Sequence, residues 1–206
     1  MIIAIESASG DLSVALAEPD GRQIGDDAWR SAQRQSAELL PRLMGLLARH
    51  ARRLEETSAV GVGIGPGSFT GLRVGMSLAK GLALALERPI IGIGSLEAWL
   101  AAVPEAEVAV ARAGAHEAYL VERRAAAPIV VDEAQLAELL ASRPAVVPHD
   151  VAEAFAVRGA RPPAGAATAL ARMAAERLAL NPAGDDLRRL EPAYLRAPRG
   201  VIAVEA

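Results

Sequence analysis

Apolar residues alternate with short polar turns over the first thirty residues of the chain. Residues 2–5 form an apolar run, residues 12–17 carry large apolar side chains at alternate positions, and residues 23–29 follow a Pro-Asp-Gly turn. Alternation with a period of two indicates strands, and the intervening Gly, Asp and Pro residues are typical of turns. The pattern therefore predicts a three-stranded meander at the start of the chain.

The apolar spacing changes to three and four residues over positions 35–53. A broad face of large apolar side chains is formed by Leu39, Leu40, Leu43, Met44, Leu46 and Leu47. This spacing predicts an amphipathic helix. Pro41 lies within the pattern and, because proline has no N–H to donate, we expect it to kink the helix or to mark its first turn.

Strand and helix patterns then alternate along the chain. Strands are predicted at residues 60–64 and 89–93, and helices from Ser68 or Thr70 to Leu86 and at residues 95–103. Such alternation indicates a parallel α/β sheet. After a soft boundary near residues 100–106 the pattern weakens, and it predicts strands at 107–110, 118–122 and 129–131 and helices at 132–141 and 166–180.

Composition narrows the class of protein. The 206 residues are 52% hydrophobic but only 3% aromatic, so aliphatic side chains must fill the core. The chain has no cysteine, which excludes disulfides and thiol catalysis. Its net charge is −3 and no cluster of Lys and Arg forms a basic stripe, which weighs against autonomous nucleic-acid binding. The N-terminus lacks a basic signal-peptide region, and we expect a soluble cytoplasmic protein.

The most informative segment is GVGIGPGSFTGLRVG at residues 61–75. Its glycines span the end of a strand, a loop and the start of a helix. A glycine loop that leads into a helix N-terminus can bind phosphate through unpaired N–H groups. The spacing fits neither the Walker A nor the Rossmann pattern, so a purely structural loop is the alternative.

A second pattern within this segment is a stripe of small residues at every fourth position. Gly71, Gly75, Ala79 and Ala83 lie on one face of the predicted helix. Glycine inside a helix costs about 1 kcal/mol relative to alanine, so the stripe indicates close packing. The packing partner is either the chain's own sheet or another subunit.

The glycine segment and three shorter motifs resemble those of a known protein family. GVGIGPGSFTGLRVGMSLAKGLA resembles the central motif of the bacterial TsaB (YeaZ) family. The opening IESAS, the helix QSAELLP and the C-terminal EPAYLR resemble three further motifs of that family, in the same order. The resemblance implies an α/β fold of the actin/Hsp70-like (ASKHA) type with two lobes. The first lobe would comprise residues 1–103, and residues 104–206 would form a reduced second lobe and a tail.

The resemblance also implies a function in tRNA modification. Proteins of this family associate with a catalytic paralogue, TsaD, and with an ATPase, TsaE, and the assembly makes N6-threonylcarbamoyladenosine next to the anticodon of tRNA. The implied role is that of a non-catalytic scaffold, which meets tRNA only through the complex and forms a homodimer when free. No cofactor or metal of its own is implied, and ATP or ADP at the interface of the complex is left open.

Two sets of candidate residues follow from the resemblance. The family pairs through a two-helix surface at residues 35–50 and 70–86, which here predicts a partner interface of Leu39, Leu43, Leu46, Leu47, Gly71, Leu72, Gly75, Met76 and Ala79. A vestigial nucleotide-facing set would comprise Glu6, Ser7, Gly65, Gly67 and Ser68. The first set serves pairing and the second a site inherited from nucleotide-binding relatives.

Histidine positions favour a partner over an enzyme. The catalytic paralogue carries an H-L-E-G-H segment, whose two histidines at i and i+4 suit a divalent metal. This chain has Ser95 and Trp99 at the two histidine positions, and Glu97 between them. Its only histidines, His50, His116 and His149, lie far apart in sequence without metal-ligand spacing.

The chain also departs from the family's own pattern. Glu6 replaces an aspartate, Gln35 replaces a histidine, and Arg112 and Gly114 replace the Asp and Arg of a D-A-R motif. These changes argue against transferring a small-molecule function to this chain. Two alternatives to a scaffold stay open: an autonomous nucleotide-dependent enzyme that uses Glu6, Ser7 and the Ser68 loop, and a glycoprotease.

Overall fold

The computed structural model describes residues 1–159 and 161–195. Its first sheet has five strands: β1 (Ile2–Glu6), β2 (Asp11–Ala17), β3 (Gln23–Arg30), β4 (Ala59–Gly63) and β5 (Ile90–Ile93). Their order is β3-β2-β1-β4-β5, with β1, β2 and β3 antiparallel and β4 parallel to both β1 and β5. The predicted meander and the parallel α/β part are therefore both present.

Helices cover both faces of this sheet. One face packs on α1 (Gln35–Arg49) and α2 (Phe69–Leu86), and the other on α6 (Ala166–Leu180). Because β1 is covered on both sides, all five of its residues are buried, as expected for a central strand of this kind. Alternate residues serve the two layers: Ile3 and Ile5 meet α1 and α2, whereas Ile2 and Ala4 meet α6.

The small residues of α6 and β4 let that helix lie close to the sheet. Ala167, Ala171 and Ala174 line its buried face, and a Cβ at Gly61 would lie only 2.8 Å from Leu170 Cδ2. This close approach explains a glycine in the middle of a buried strand. Helix α6 thus returns to the first sheet, while the division of the chain at residues 103 and 104 stays a prediction.

The second sheet has the order β8-β7-β6-β9. Its strands are β6 (Val108–Arg112), β7 (Glu117–Glu122), β8 (Ile129–Asp132) and β9 (Ala145–Val146). Helix α3 (Ser95–Ala102) packs on one face, whereas α4 (Glu133–Leu140) and α5 (His149–Ala154) pack on the other. Sequence patterns did not predict β9, α5 or the short 3-10 helix Leu54–Glu56, because elements of two to six residues carry too few positions to show a period.

Helix α1 is shorter than the sequence pattern predicts. Helix α1 ends at Arg49, four residues before the predicted end, and it begins at Gln35, so Pro41 lies in its interior and does not mark its first turn. Helix α2 is long and apolar enough to cross a membrane by length and composition alone. A core helix of a folded domain passes the same test, and seven residues of α2 are buried.

Candidate functional site

The glycine loop joins β4 to α2 and packs directly on the turn after β1. Gly65 has a φ of +98°, which glycine tolerates without strain, and a Cβ at Gly67 would lie 2.2 Å from the Ala8 carbonyl oxygen. The Ser68 N–H donates to that same carbonyl at 2.7 Å. The Gly65 N–H donates to Ser95 Oγ at 3.1 Å. These N–H groups point at the chain's own acceptors, so the structural interpretation of the loop is the better supported one.

Glu6 lies at the carboxyl end of β1, where β4 and α3 also meet. Its side chain is completely buried, and its Oε1 accepts from the Ala8 N–H at 2.8 Å and from Ser95 Oγ at 3.1 Å. Its Oε2 has no hydrogen-bond partner within the described part of the chain. Burial raises the pKa of Glu6 to about 7. The space for this carboxyl depends on Gly63, since a Cβ there would lie 2.2 Å from Oε2.

The small-residue stripe of α2 packs against the end of β1. A Cβ at Gly71 would lie 2.1 Å from the Ser7 carbonyl oxygen, and one at Gly75 would lie 2.0 Å from Ser7 Oγ. Ser7 Oγ donates to the Gly71 carbonyl at 2.9 Å, and Ser68 Oγ accepts from the Gly71 N–H as the helix cap. Of the two packing partners considered for this stripe, the chain's own sheet is the one observed.

The residues predicted for the partner interface are buried in this chain, and their part in pairing stays a prediction. All nine predicted side chains or glycines are buried within this chain: Leu39, Leu43, Leu46, Leu47, Gly71, Leu72, Gly75, Met76 and Ala79. Leu39, Leu43, Leu46, Leu47, Met76 and Ala79 belong to the core between the two helices and the first sheet, whereas Leu72 packs with α3, because the apolar face of an amphipathic helix turns to its own domain first. A surface on these helices must consist of other residues.

That surface is apolar and has a groove. Leu40 is 44% exposed, Met44 45%, Phe69 41% and Leu84 69%, which is unusual for such large apolar side chains. Between α1 and α2 runs a groove of about 370 Å³, lined by Ser36, Leu39, Leu40, Arg73, Val74, Ser77 and Leu78. We refer to Leu40, Met44, Phe69, Arg73 and Leu84 with this groove as the outer helical face. Gly81 is exposed on α2, and a Cβ added there would have no atom of the described residues within 4 Å beyond its own stretch of helix.

The C-terminal EPAYLR motif reaches this face. The Ala193 N–H donates to the Ile64 carbonyl at 2.7 Å, which places Tyr194 beside the first turn of α2. The Phe69 and Tyr194 rings lie 5.5 Å apart, and the Arg73 guanidinium lies 3.8 Å from the centre of the Phe69 ring. Arg73 Nε also donates to the Tyr194 hydroxyl at 3.0 Å. Arg196, the last residue of the motif, lies outside the described residues.

Sequence reasoning missed Phe69, Arg73 and Tyr194 as a unit. Arg73 and Tyr194 are 121 positions apart, and no pattern within either segment indicates that they meet. The available signal was weaker: an arginine and a phenylalanine four residues apart on one helix can stack.

A cleft of about 480 Å³ opens at the carboxyl ends of β4 and β5. Its charged lining includes Glu97, Arg123 and Arg177. The Arg123 guanidinium donates to the carbonyls of Leu100, Val103 and Ala106, and so caps the C-terminus of α3. Arg177 binds Asp185 at 3.0 Å. Both guanidinium groups are thus occupied by the chain itself.

Core residues occupy the two positions that correspond to the histidines of the catalytic paralogue. Ser95 and Trp99 are fully buried, Ser95 bonded to Glu6 and Trp99 packed in the core between α3 and the second sheet. His116 pairs with Glu133 at 2.9 Å and His149 with Asp11 at 2.6 Å, and no three metal-ligating side chains cluster in residues 1–159 and 161–195. Glu97 is exposed at the rim of the cleft.

Solved structures share the whole architecture. YeaZ from Pseudomonas aeruginosa superimposes with a TM-score of 0.68 at 21% identity, over 94% of this chain and 99% of that one. A second structure, an uncharacterized protein with similarity to peptidase YEAZ from Pseudomonas aeruginosa, gives 0.71 at 24% identity, over 95% and 99%. These values show a shared fold and confirm the predicted two-lobed α/β class.

Sequence relatives identify the family. TsaB from Escherichia coli is 37% identical over 95 residues, which is 46% of this chain and 40% of that protein. TsaB from Bacillus subtilis is 34% identical over 96 residues, 47% of this chain and 42% of that protein. This chain thus spans less than half the length of these relatives in the matched regions. The family model for TsaD, tRNA N6-adenosine threonylcarbamoyltransferase, matches residues 30–138, more than half of the chain. The chain therefore belongs to the TsaD-type threonylcarbamoyltransferase family, in its TsaB (YeaZ) branch.

Proposed function

We propose that this chain is the non-catalytic subunit of the machinery that makes N6-threonylcarbamoyladenosine next to the anticodon of tRNA. In this role it pairs with a catalytic TsaD and works with the ATPase TsaE in the cytoplasm. The observation that carries the proposal is the identity and burial of residues 95 and 99. A buried serine and a buried tryptophan stand where the catalytic paralogue has two metal-binding histidines.

The chemistry of these two positions supports a role without metal catalysis. Ser95 Oγ bridges Glu6 and the Gly65 N–H, so it is committed to holding the ends of β1 and β4 together. Trp99 is large and apolar and has none of its surface exposed. Neither side chain can offer a lone pair to a metal in solvent, since both are enclosed by the core.

The outer helical face supports the pairing part of the proposal. Large apolar side chains are rarely exposed in a contiguous group on a monomer, and such groups mark interaction sites. Leu40, Met44, Phe69 and Leu84 are four exposed side chains of this kind on two adjacent helices. We therefore place the contact with TsaD on these residues, and the nine buried residues beneath them support its shape.

The nucleotide-dependent alternative finds less support. Glu6 and Ser7 have no exposed surface, and Ser68 Oγ is the cap of α2. Glu6 would have to leave a fully buried site before it met a phosphate-bound cation. A glycoprotease is supported no better, because Ser68 has its hydrogen bond with Gly71 and two of the three histidines pair with carboxylates elsewhere.

Reconstitution tests the proposal directly. The purified chain, its cognate TsaD and TsaE, a source of threonylcarbamoyl-adenylate and a tRNA substrate are combined, and the modified nucleoside is measured by mass spectrometry. We expect the product only when this chain and TsaD are both present, and none from this chain without TsaD. Full product formation in the absence of this chain would refute the proposal. Calorimetry of the isolated chain with ATP and Mg²⁺ tests the alternative of a nucleotide-dependent enzyme. That alternative requires tight ATP binding by the wild-type chain and loss of the binding in Glu6→Ala.

A further inference from the structure

The turn between β1 and β2 is buried, although connections between strands usually run over the surface. Ser7 has none of its surface exposed, Ala8 1% and Ser9 3%. The glycine loop covers one side of this turn, where the Ser68 N–H donates to the Ala8 carbonyl. Helix α5, which packs on the second sheet, lies against the end of the turn that leads into β2. The burial of the turn thus depends on both sheets of the chain.

Helix α5 divides its contacts between the two sheets. Its buried residue Val151 packs with Val108 of β6, in the apolar core on the face of the second sheet opposite α3. Its polar residues His149, Asp150 and Glu153 contact the first sheet and the turn before β2 instead. Because the apolar contacts of α5 are all with the second sheet, we expect the helix to stay with that sheet if the two parts separate.

Two of these polar contacts hold the turn itself. The His149 N–H donates to Asp11 Oδ2 at 2.7 Å, and His149 Nδ1 lies 2.6 Å from Asp11 Oδ1. The Gly10 N–H donates to Asp150 Oδ1 at 3.3 Å. Both carboxylate oxygens of Asp11 are therefore bonded to the first residue of α5.

The third contact is an ion pair between Arg30 and Glu153, whose side chains are 51% and 65% exposed. Arg30 lies opposite Asp11 in the ladder of β2 and β3, so the three contacts form one patch. Exposed polar contacts exchange readily with water, and each contributes little to stability. Helix α3 joins the two sheets differently, since Ala98 packs in the core of the first sheet and Trp99 in the core of the second.

We propose that α5 is a latch that closes the second sheet onto the β1–β2 turn. When its polar contacts break, the second sheet and α5 turn together about α3, and solvent reaches the turn. Weak, replaceable contacts at one place and apolar contacts at another are the arrangement of a hinged closure. The Ala8 N–H of the turn donates to Glu6, so the latch also controls the access of solvent to that buried carboxyl. The latch carboxylates are Asp11, Asp150 and Glu153.

Amide hydrogen exchange of the whole chain, followed residue by residue by NMR, tests the latch. The Ala8 N–H lies behind the latch and keeps its acceptor, Glu6, when the latch carboxylates are removed. The Val60 N–H donates to the Pro89 carbonyl within the first sheet and is the matched control. We expect replacement of the three latch carboxylates by alanine to speed the exchange of Ala8 about tenfold and to leave Val60 at the wild-type rate.

A disulfide across the latch supplies the converse test. A Cβ at Gly10 would lie 3.5 Å from Asp150 Cβ, and disulfides need about 3.5–4.5 Å between these atoms. The chain has no other cysteine to interfere. In a variant that combines Gly10→Cys and Asp150→Cys with Asp11→Ala and Glu153→Ala, the reduced protein lacks the latch carboxylates and the oxidised protein has a covalent latch. We expect oxidation to return the exchange of Ala8 to within about twofold of wild type.

X-ray scattering follows the opening of the whole molecule. We expect a larger radius of gyration for the reduced variant than for the oxidised one, at equal secondary structure by circular dichroism. Equal exchange of Ala8 in wild type and in the reduced variant would overturn the proposal, because apolar contacts alone would then hold the sheets together. Faster exchange of Val60 together with Ala8 would overturn it as well, since the contacts of α5 would then stabilise the entire fold and not one closed position.

Discussion

The buried Glu6 carboxyl makes the stability of this protein depend on pH in a way that one substitution removes. Burial raises the pKa of Glu6 from 4.5 to about 7 in the folded state. Well below pH 4.5 the Glu6 carboxyl is protonated in both the folded and the unfolded chain, so its ionisation does not lower the free energy of unfolding. As the pH rises towards 7 and above, the unfolded chain releases the proton more readily than the folded chain, so the free energy of unfolding falls. The full loss is about 3 kcal/mol above pH 7, from about 1.4 kcal/mol for each pKa unit.

The Glu6→Gln variant isolates this contribution. Glutamine has nearly the shape of glutamate and no charge, and its amide oxygen can accept from the Ala8 N–H and Ser95 as Oε1 does. We expect the free energy of unfolding of Glu6→Gln, measured relative to wild type, to rise by about 3 kcal/mol between pH 4.5 and 8. This rise does not depend on the difference between the two proteins at low pH. Urea unfolding at several pH values measures this difference, with the fluorescence of buried Trp99 as the probe.

The control for removing one carboxylate is Glu97→Gln at the exposed first turn of α3. This variant removes the same formal charge from a solvent-exposed position, so it controls for the change in net charge. If the Glu6→Gln difference does not change with pH beyond that control, the Glu6 carboxylate is solvated in the folded protein and burial does not raise its pKa. The outcome also bears on function, since a solvated Glu6 would restore the nucleotide-dependent alternative.

Four further substitutions, at three positions, test the packing of the helices. Gly75→Leu should destabilise the fold by more than about 3 kcal/mol because its side chain would meet Ser7 Oγ, and a chain that unfolds at the same urea concentration as wild type would contradict the packing described. Gly81→Ala should instead raise the free energy of unfolding by about 0.5–1 kcal/mol, since its Cβ has open space; Gly81→Leu should fold normally but weaken pairing with TsaD, as measured by co-purification. Arg123→Ala should lower thermal stability by about 1–3 kcal/mol because it uncaps α3, and an unchanged melting temperature would show that water replaces the guanidinium.

Much of the fold followed from local pattern. The meander, the alternation of strands and helices and the position of α6 depend on the period of apolar residues, which neighbouring side chains on one element determine. The glycine motif was specific enough to indicate the family, because it requires glycine at several positions where any Cβ would collide. Gly67, Gly71 and Gly75 now have identified neighbours, the Ala8 and Ser7 backbone and the Ser7 side chain.

The candidate site was harder to predict, and helix α2 shows why. This helix is apolar on almost every side, so its sequence does not indicate which residues face the sheet and which face solvent. Its glycine stripe suits a subunit interface and a buried contact equally well. Only the position of β1 shows that Gly75 faces Ser7 and that Phe69 and Leu84 face outwards.

The sequence by itself determined the order and type of the longer elements, the absence of cysteine and of paired histidines, and the membership of the family. Tertiary structure decided which residues of α1 and α2 are exposed and that Arg73 meets Tyr194. It also decided that Glu6 is buried and that its Oε2 has no hydrogen-bond partner among the described residues. The physical reason is the range of the interactions. Periodicity and turn chemistry depend on residues a few positions apart in sequence. The burial of a side chain and the Arg73–Tyr194 contact depend on segments that are distant in sequence and meet only in the folded chain.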